Sequence, residues 1–163
     1  KLSRKSSAVN LTILLKEILC TYSTTCGHKI ISRFDETKPI YTSKEACRIR
    51  QVVTNLIDNA VKFTPFDKRI WVDLKTDGDF ATIIVEDEGI GVPADEKQYI
   101  FEPFYRSSNV LQEKNGLGLG LYISKRLSNL LGGDLIAKER PQGGTIVEFS
   151  LPLDVPRNTT NTE

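Results

Sequence analysis

The stretch Arg50-Gln51-Val52-Val53-Thr54-Asn55-Leu56-Ile57-Asp58-Asn59-Ala60-Val61-Lys62-Phe63-Thr64-Pro65 sets the reading of the whole chain. With Ile49 in front of it, Val52, Val53, Leu56, Ile57 and Ala60 recur at helical spacing and form one apolar stripe. A helix is therefore predicted from about Lys44 to Phe63, stopped by Thr64-Pro65. Asn55, Asn59 and Lys62 stand at i, i+4 and i+7, stacked on a neighbouring face. Asparagine is a poor helix former, and here two lie one turn apart in line with a lysine. Two readings are open: a solvated polar face, or an edge for phosphate and metal. An asparagine carbonyl is a hard, neutral ligand that Mg²⁺ accepts beside its waters, and lysine offers a mobile positive charge.

Working outward, Leu11, Leu14, Leu15, Ile18 and Leu19 predict an earlier helix that Asn10 would cap. Ile30 to Phe34 and Ile40 to Thr42 read as short strands around a Pro39 turn. On the other side, Arg69 to Thr76 and Phe80 to Glu86 are β-rich and joined by Asp77-Gly78-Asp79, a hairpin signal. A short helix is expected around Asp95 to Ile100, then a polar, irregular stretch from Tyr105 to Asn115. A helix from about Leu119 to Leu131 ends at Gly132-Gly133. Strands from Asp134 to Lys138 and Thr145 to Leu151 flank a Pro141-Gln142-Gly143-Gly144 turn. Helices and strands intermix without a βαβ rhythm. The expected fold is α+β, a two-layer α/β sandwich with helices packed on one face of a mixed sheet.

Composition narrows the function classes. The chain has 163 residues, read as one domain over 1–153 and a polar tail, 154–163, expected to be disordered. Twenty-two basic residues nearly cancel twenty-one acidic ones, which argues against a mainly electrostatic nucleic-acid binder. No apolar run approaches the ~18 residues of a membrane span. The start, Lys1 to Ser7, has no signal-peptide character. Methionine is absent, as expected of a fragment of a longer protein. Three cysteines, an odd number, fit reduced thiols in a cytosol-like compartment. Cys20, Cys26 and His28 match no zinc spacing and Cys47 is not near them in sequence, so free thiols are expected. The triplet Asn158-Thr159-Thr160 is read as chance.

Three further motifs carry chemistry. In Asp87-Glu88-Gly89-Ile90-Gly91-Val92-Pro93, after a strand, glycines let the backbone approach a ligand closely. The Asp87 carboxylate could accept a hydrogen bond from an amino group such as that of adenine, and would repel guanine's carbonyl. An ordinary glycine-rich turn is the alternative. In Asn115-Gly116-Leu117-Gly118-Leu119-Gly120-Leu121, three alternating glycines open a helix, where backbone N–H groups favour an anion. The spacing is neither that of a dinucleotide fingerprint nor of a P-loop. The polar segment before it is lid-like. Between the two lies Phe101-Glu102-Pro103-Phe104-Tyr105-Arg106, where Arg106 could reach a phosphate and core packing is the expected role of Phe101 and Phe104.

Together these four blocks resemble the ATP-binding catalytic domain of sensor histidine kinases, in the gyrase–chaperone–histidine kinase–MutL superfamily. Arg50 to Pro65 resembles the asparagine box, Asp87 to Gly91 the first glycine box, Phe101 to Phe104 the phenylalanine box and Gly116 to Gly120 the second glycine box. Gly144-Thr145 with Phe149 to Leu153 resembles the closing strand, so the likeness runs from about Asn10 to Leu153. It implies Mg-ATP binding and γ-phosphoryl transfer to a histidine on a separate dimerisation domain, with a response-regulator receiver downstream. Asn59 would be the Mg²⁺ ligand, Asn55 would lie close to the phosphates, and Lys62 would contact them. Asp87 would bind the adenine amino group, with Gly89 and Gly91 giving the base room and Thr145 near it through a water. Gly116, Gly118 and Gly120 would wrap the phosphates, and Arg106 would reach the γ-phosphate. Phe63, Ile90, Tyr105, Leu117 and Leu119, interleaved in these motifs, complete the implied ATP-binding set. Catalysis would rest on Asn55, Asn59, Lys62 and Arg106.

In the hydrolytic relatives, and in serine-directed kinases of the superfamily, a glutamate stands four residues before the metal-binding asparagine. Here that position is Asn55, which cannot act as a general base. The resemblance therefore implies a domain that holds ATP without spending it on water, mobile between Tyr105 and Asn115 without nucleotide. His28, in Cys26-Gly27-His28-Lys29, lacks the context of a phosphoacceptor. Two alternatives stand beside this reading: an ATPase-type conformational clamp, and a nucleotide-sensing or docking module without transfer. A cytoplasmic or cytosol-like location is implied, with no nucleic acid and no membrane contact by this domain. A membrane anchor elsewhere in the full-length protein stays open.

Overall fold

The computed structural model describes residues 7–108 and 116–153. The expected tail, 154–163, and most of the expected lid, 109–115, lie outside the described residues. The elements run β1 (Val9–Asn10), α1 (Leu11–Thr25), β2 (Lys29–Ser32), β3 (Tyr41–Thr42), α2 (Ala46–Phe63), β4 (Arg69–Asp77) and β5 (Phe80–Asp87). They continue with α3 (Gly120–Leu130), β6 (Asp134–Glu139) and β7 (Thr145–Pro152). A five-stranded sheet has the order β2-β4-β5-β7-β6, parallel between β2 and β4 and antiparallel elsewhere. Strands β1 and β3 form a separate antiparallel pair. The mixed sheet and its helices match the expected α+β class.

Strict alternation builds the sheet's two faces. Ile70, Val72 and Leu74 of β4, Ala81, Ile83 and Val85 of β5, and Val147, Phe149 and Leu151 of β7 are buried on the helix side. Their register aligns Val85 with Val147 and Ile83 with Phe149. Onto this face pack Leu11, Leu14, Leu15 and Ile18 of α1 and the predicted stripe of α2, Ile49 to Ala60. The opposite face carries Trp71, Asp73, Thr82, Ile84, Glu86, Ile146 and Glu148. No helix of the described residues is long and apolar enough to cross a membrane.

Local chemistry closes each element. The Asn10 side chain accepts the N–H of Ile13 at 3.2 Å and caps α1. Thr64 at the end of α2 is extended, as the following Pro65 requires. α2's last carbonyls still find partners: Phe63 O accepts the Ile90 N–H at 3.2 Å, and Thr64 O lies 2.8 Å from His28 Nε2. α3 ends in a Schellman arrangement, with Gly133 N–H donating to Ser128 O and Gly132 N–H to Asn129 O.

Two expectations are corrected. Asp95 to Ile100 is a chain of turns rather than a helix: Glu96, Tyr99 and Glu102 N–H groups each bond the carbonyl three residues back. Such bonds bend the chain without setting up the i→i+4 ladder. Phe101 packs against the core, but Phe104 is 69% exposed, with φ at 63° and its N–H bound to Gly118 O. A further difference is that the strands flanking Pro39 do not pair with one another, since β2 lies beside β4 and β3 beside β1.

Removing the α1 cap isolates its contribution. Asn10→Ala is expected to cost about 1 kcal/mol and to lower the melting temperature by about 2–4 °C, read by thermal circular dichroism. An unchanged melt would show that the 3.2 Å bond contributes nothing net.

Candidate functional site

A cavity of about 380 Å³ lies over the helix-side face of the sheet, walled by α2, the start of α3 and the segments after β5. Every predicted site residue except Gly89 lines it. From α2 come Asn55, Asn59, Lys62 and Phe63, which three- and four-residue steps place beside the buried stripe. Asp87, Ile90 and Gly91 come from the end of β5 and its loop, and Thr145 from the start of β7. Tyr105, Arg106, Gly116, Leu117, Gly118, Leu119 and Gly120 complete it.

Asp87 stands directly opposite Thr145 in the β5–β7 register. Its side chain is 8% exposed, and Oδ1 accepts the N–H of Gly89 at 2.8 Å and of Thr145 at 3.3 Å. Burial pushes its pKa above the ordinary value; the two N–H groups and the Arg140 charge pull back, and Glu86 adds to the rise. Next to it, Val85, Val147 and Ile100 supply apolar wall. A carboxylate at the end of an apolar slot suits a flat ring with a donor on one edge.

Gly89 is behind the wall, and a Cβ there would meet Phe63 O at 2.6 Å. Gly118 has φ at 71°, and its Cβ would fall 2.6 Å from Tyr105 O, so this position demands glycine. Around the site of a Gly120 Cβ nothing lies within 4 Å. The open first turn of α3 thus faces the cavity with backbone N–H groups that have no helical partner.

Asn55 Nδ2 donates to Ser124 Oγ at 3.2 Å and to Gly120 O at 3.5 Å, tying α2 to α3. The Lys62 ammonium lies 5.2 Å from the centre of the Phe63 ring. Asn59, Asp58 and Lys62 line the same cavity, which therefore offers hard oxygen donors and a cation. This donor set and the open turn at Gly120 fit a magnesium-bound polyphosphate. All three cysteines are free, and among the described residues no group of three His, Cys, Asp or Glu could hold a metal.

Sequence reasoning missed several lining residues. Val85 and Val147 were reachable from alternation, two residues from Asp87 and Thr145. Asp58, another lining residue, accepts a hydrogen bond from the Tyr22 hydroxyl, a contact between helices that no local pattern announces. Ser107 also lines the cavity. With Ser108 it donates to Glu96, whose pKa is pulled from 4.5 to about 2 by those hydroxyl bonds.

Residues 45–155 match the model of the family described as histidine kinase-, DNA gyrase B- and HSP90-like ATPases. Sensor histidine kinase RcsC of Salmonella typhimurium is 34% identical over 116 residues, 71% of this chain and 12% of that protein. Sensor protein TorS of Escherichia coli K12 is 42% identical over 108 residues, 66% of this chain and 11% of that protein. The chain thus spans about a tenth of the length of these relatives. Among solved structures, the mycobacterial sensor histidine kinase MprB superposes with a TM-score of 0.79 at 26% identity, covering 90% of this chain and 97% of that one. Full-length ShkA in complex with AMPPNP gives 0.73 at 29% identity, covering 90% of this chain and 31% of that one.

Two titrations test the site's electrostatics. With its folded pKa raised, Asp87 favours the fold only below its unfolded value, and that contribution is lost as pH rises through the folded one. Asp87→Asn, which keeps an acceptor for both N–H groups, is expected to be at least as stable as wild type at pH 7. The difference should close on acidification towards pH 3.8; a clear loss at pH 7 in thermal melts would contradict it. Glu96 has the opposite sign: its contribution is complete above pH 4.5 and gone below about 2. Glu96→Gln should flatten the acid-unfolding profile across that window and leave it unchanged if the serine bonds carry no weight.

Proposed function

The chain belongs to the histidine kinase-, DNA gyrase B- and HSP90-like ATPase family, and from that membership we propose that it is the Mg-ATP-binding, phosphoryl-donating domain of a sensor histidine kinase, spanning residues 1–153. Its acceptor is a histidine on a dimerisation domain of the same protein, and a response-regulator receiver takes the phosphoryl group next. The observation that carries this is the convergence of Asn55, Asn59, Lys62, Asp87 and Gly118 on one cavity from three separate stretches of sequence.

Each residue then has a task. Asp87 accepts a hydrogen bond from the adenine amino group, while Ile90, Gly91, Val85 and Val147 enclose the ring. Asn59 supplies an oxygen ligand to Mg²⁺, with Asp58 lining the same cavity. When bound, Mg²⁺ neutralises charge on the transferring phosphate. Lys62 and Arg106 place positive charge against the phosphates, and the first turn of α3 presents N–H groups to them. Phosphoryl transfer of this kind rests on positioning and charge neutralisation.

Asn55 supports transfer to histidine over hydrolysis. Its amide nitrogen is engaged by Ser124 and Gly120, and an amide cannot take a proton from water. A histidine acceptor is a nucleophile at neutral pH and makes less demand for a base.

Incubation with labelled ATP, Mg²⁺ and the dimerisation domain of the same protein tests the reading. Acid-labile label on that domain is expected, reduced about 100-fold or more by Asn59→Ala, with negligible ATP hydrolysis by this chain alone. No label on the dimerisation domain, or steady hydrolysis without it, would overturn the assignment.

A further inference from the structure

The outer face of the sheet, which takes no part in the cavity, carries a cluster of three arginines around one tryptophan. Arg33, Arg69 and Arg140 place their guanidinium carbons 4.4, 5.1 and 5.0 Å from the centre of a Trp71 ring. Two glutamates pair with them. Glu86 accepts from Arg33 Nη1 at 2.9 Å and from Arg140 Nε at 2.7 Å. Glu88 accepts from Arg69 Nη2 at 2.9 Å and from Arg69's backbone N–H at 2.8 Å, with Arg140 Nη2 at 3.9 Å.

Arg140 differs from the other two arginines. Its side chain is 11% exposed, against 41% for Arg33 and 53% for Arg69. It is also redundant for neutralisation, because each glutamate keeps an arginine of its own without it. Its distinctive bond goes elsewhere: Nη1 donates to Gly143 O at 3.3 Å, inside the turn between β6 and β7. The Arg140 backbone N–H donates to Gly144 O at 3.1 Å in the same turn.

That turn is pressed onto the Asp87 loop. Gly144 is buried at φ 107°, and a Cβ there would fall 1.9 Å from Asp87 O. The next residue, Thr145, supplies the N–H to Asp87 Oδ1. The Arg140 side chain therefore joins the end of β5, through Glu86, to the turn, through Gly143 O, and that turn leads directly into the Thr145 N–H that fixes Asp87.

We infer that Arg140 is a positioning residue for base recognition, holding Thr145 and Asp87 in the geometry that reads the amino edge of the nucleotide's base. This rests on the ATP-binding reading above and goes beyond it, since Arg140 lines no part of the cavity. Its cationic charge also favours the ionised Asp87.

The test is calorimetric titration of the chain with Mg-ATP and with Mg-purine riboside triphosphate, which lacks the 6-amino group. Wild type is expected to prefer ATP about tenfold or more, the yield of one hydrogen bond to a charged acceptor. Arg140→Gln should cut that preference at least about threefold while affinity for the analogue stays within about twofold. Arg33→Gln removes a cation from the same tryptophan and the same glutamate but leaves the turn alone, and should keep the full preference. If Arg140→Gln does not fold, Arg140→Lys retains the charge, loses the fork and should show a smaller cut in the same direction. Parallel weakening of both ligands, or an unchanged preference in the folded variant, overturns the inference. A wild type that binds neither ligand overturns the ATP-binding reading itself; one that binds both equally removes the amino contact and the role assigned to Arg140.

Discussion

Asp87 stands where the alternation of β5 calls for another apolar side chain, and the site is arranged around the cost of putting a carboxylate there. Ala81, Ile83 and Val85 precede it on the same buried row. A buried carboxylate needs hydrogen bonds to remain charged, and two backbone donors serve it, one from Gly89 two residues on and one from Thr145 across the sheet. The first needs a chain reversal so tight that Gly89 lies against Phe63 O. The second needs β7 to start opposite the end of β5. Hence one side chain ties the glycine loop to the closing strand, and the Ile90 N–H bond to Phe63 O adds α2's C-terminus.

The fold was legible wherever a periodic pattern was long. The α2 stripe, the β4–β5 hairpin and the Asn10 cap all appear where their residues demanded them, because each is a local preference reinforced by burial. Pairing was less legible. The parallel placement of β2 beside β4 is a contact between segments almost forty residues apart, and no residue in Lys29–Ser32 names its partner. At Asp95 to Ile100 the residues tolerate a helix, yet successive three-residue turns won; nothing in their composition separates the two outcomes.

The site divides in the same way. Its motifs were visible because their residue types are costly in their settings: paired asparagines in a helix, glycines where a helix begins, a carboxylate closing a strand. The remaining lining residues are ordinary. Val85 and Val147 become slot walls only once β5 and β7 are in register. Ser124 matters only because Asn55 faces it from another helix. Asn55 shows the limit most clearly: its type excludes a general base, but its tie to Gly120 O, which locks the α2 edge to the glycine turn, comes from packing.

The uncovered face of the sheet follows from the same economy of layers. A two-layer sandwich leaves one sheet face without helices, and Trp71 on that face would expose a large apolar surface. It is instead 7% exposed, because guanidinium planes lie against its rings. Arginines held over a ring need counter-charges, and Glu86 and Glu88 supply them from the residues flanking Asp87 on the opposite face. The alternation that turns Asp87 inwards turns its neighbours outwards, so the two faces are coupled through three consecutive residues. Arg140 carries that coupling on to the turn beside the cavity, through Gly143 O.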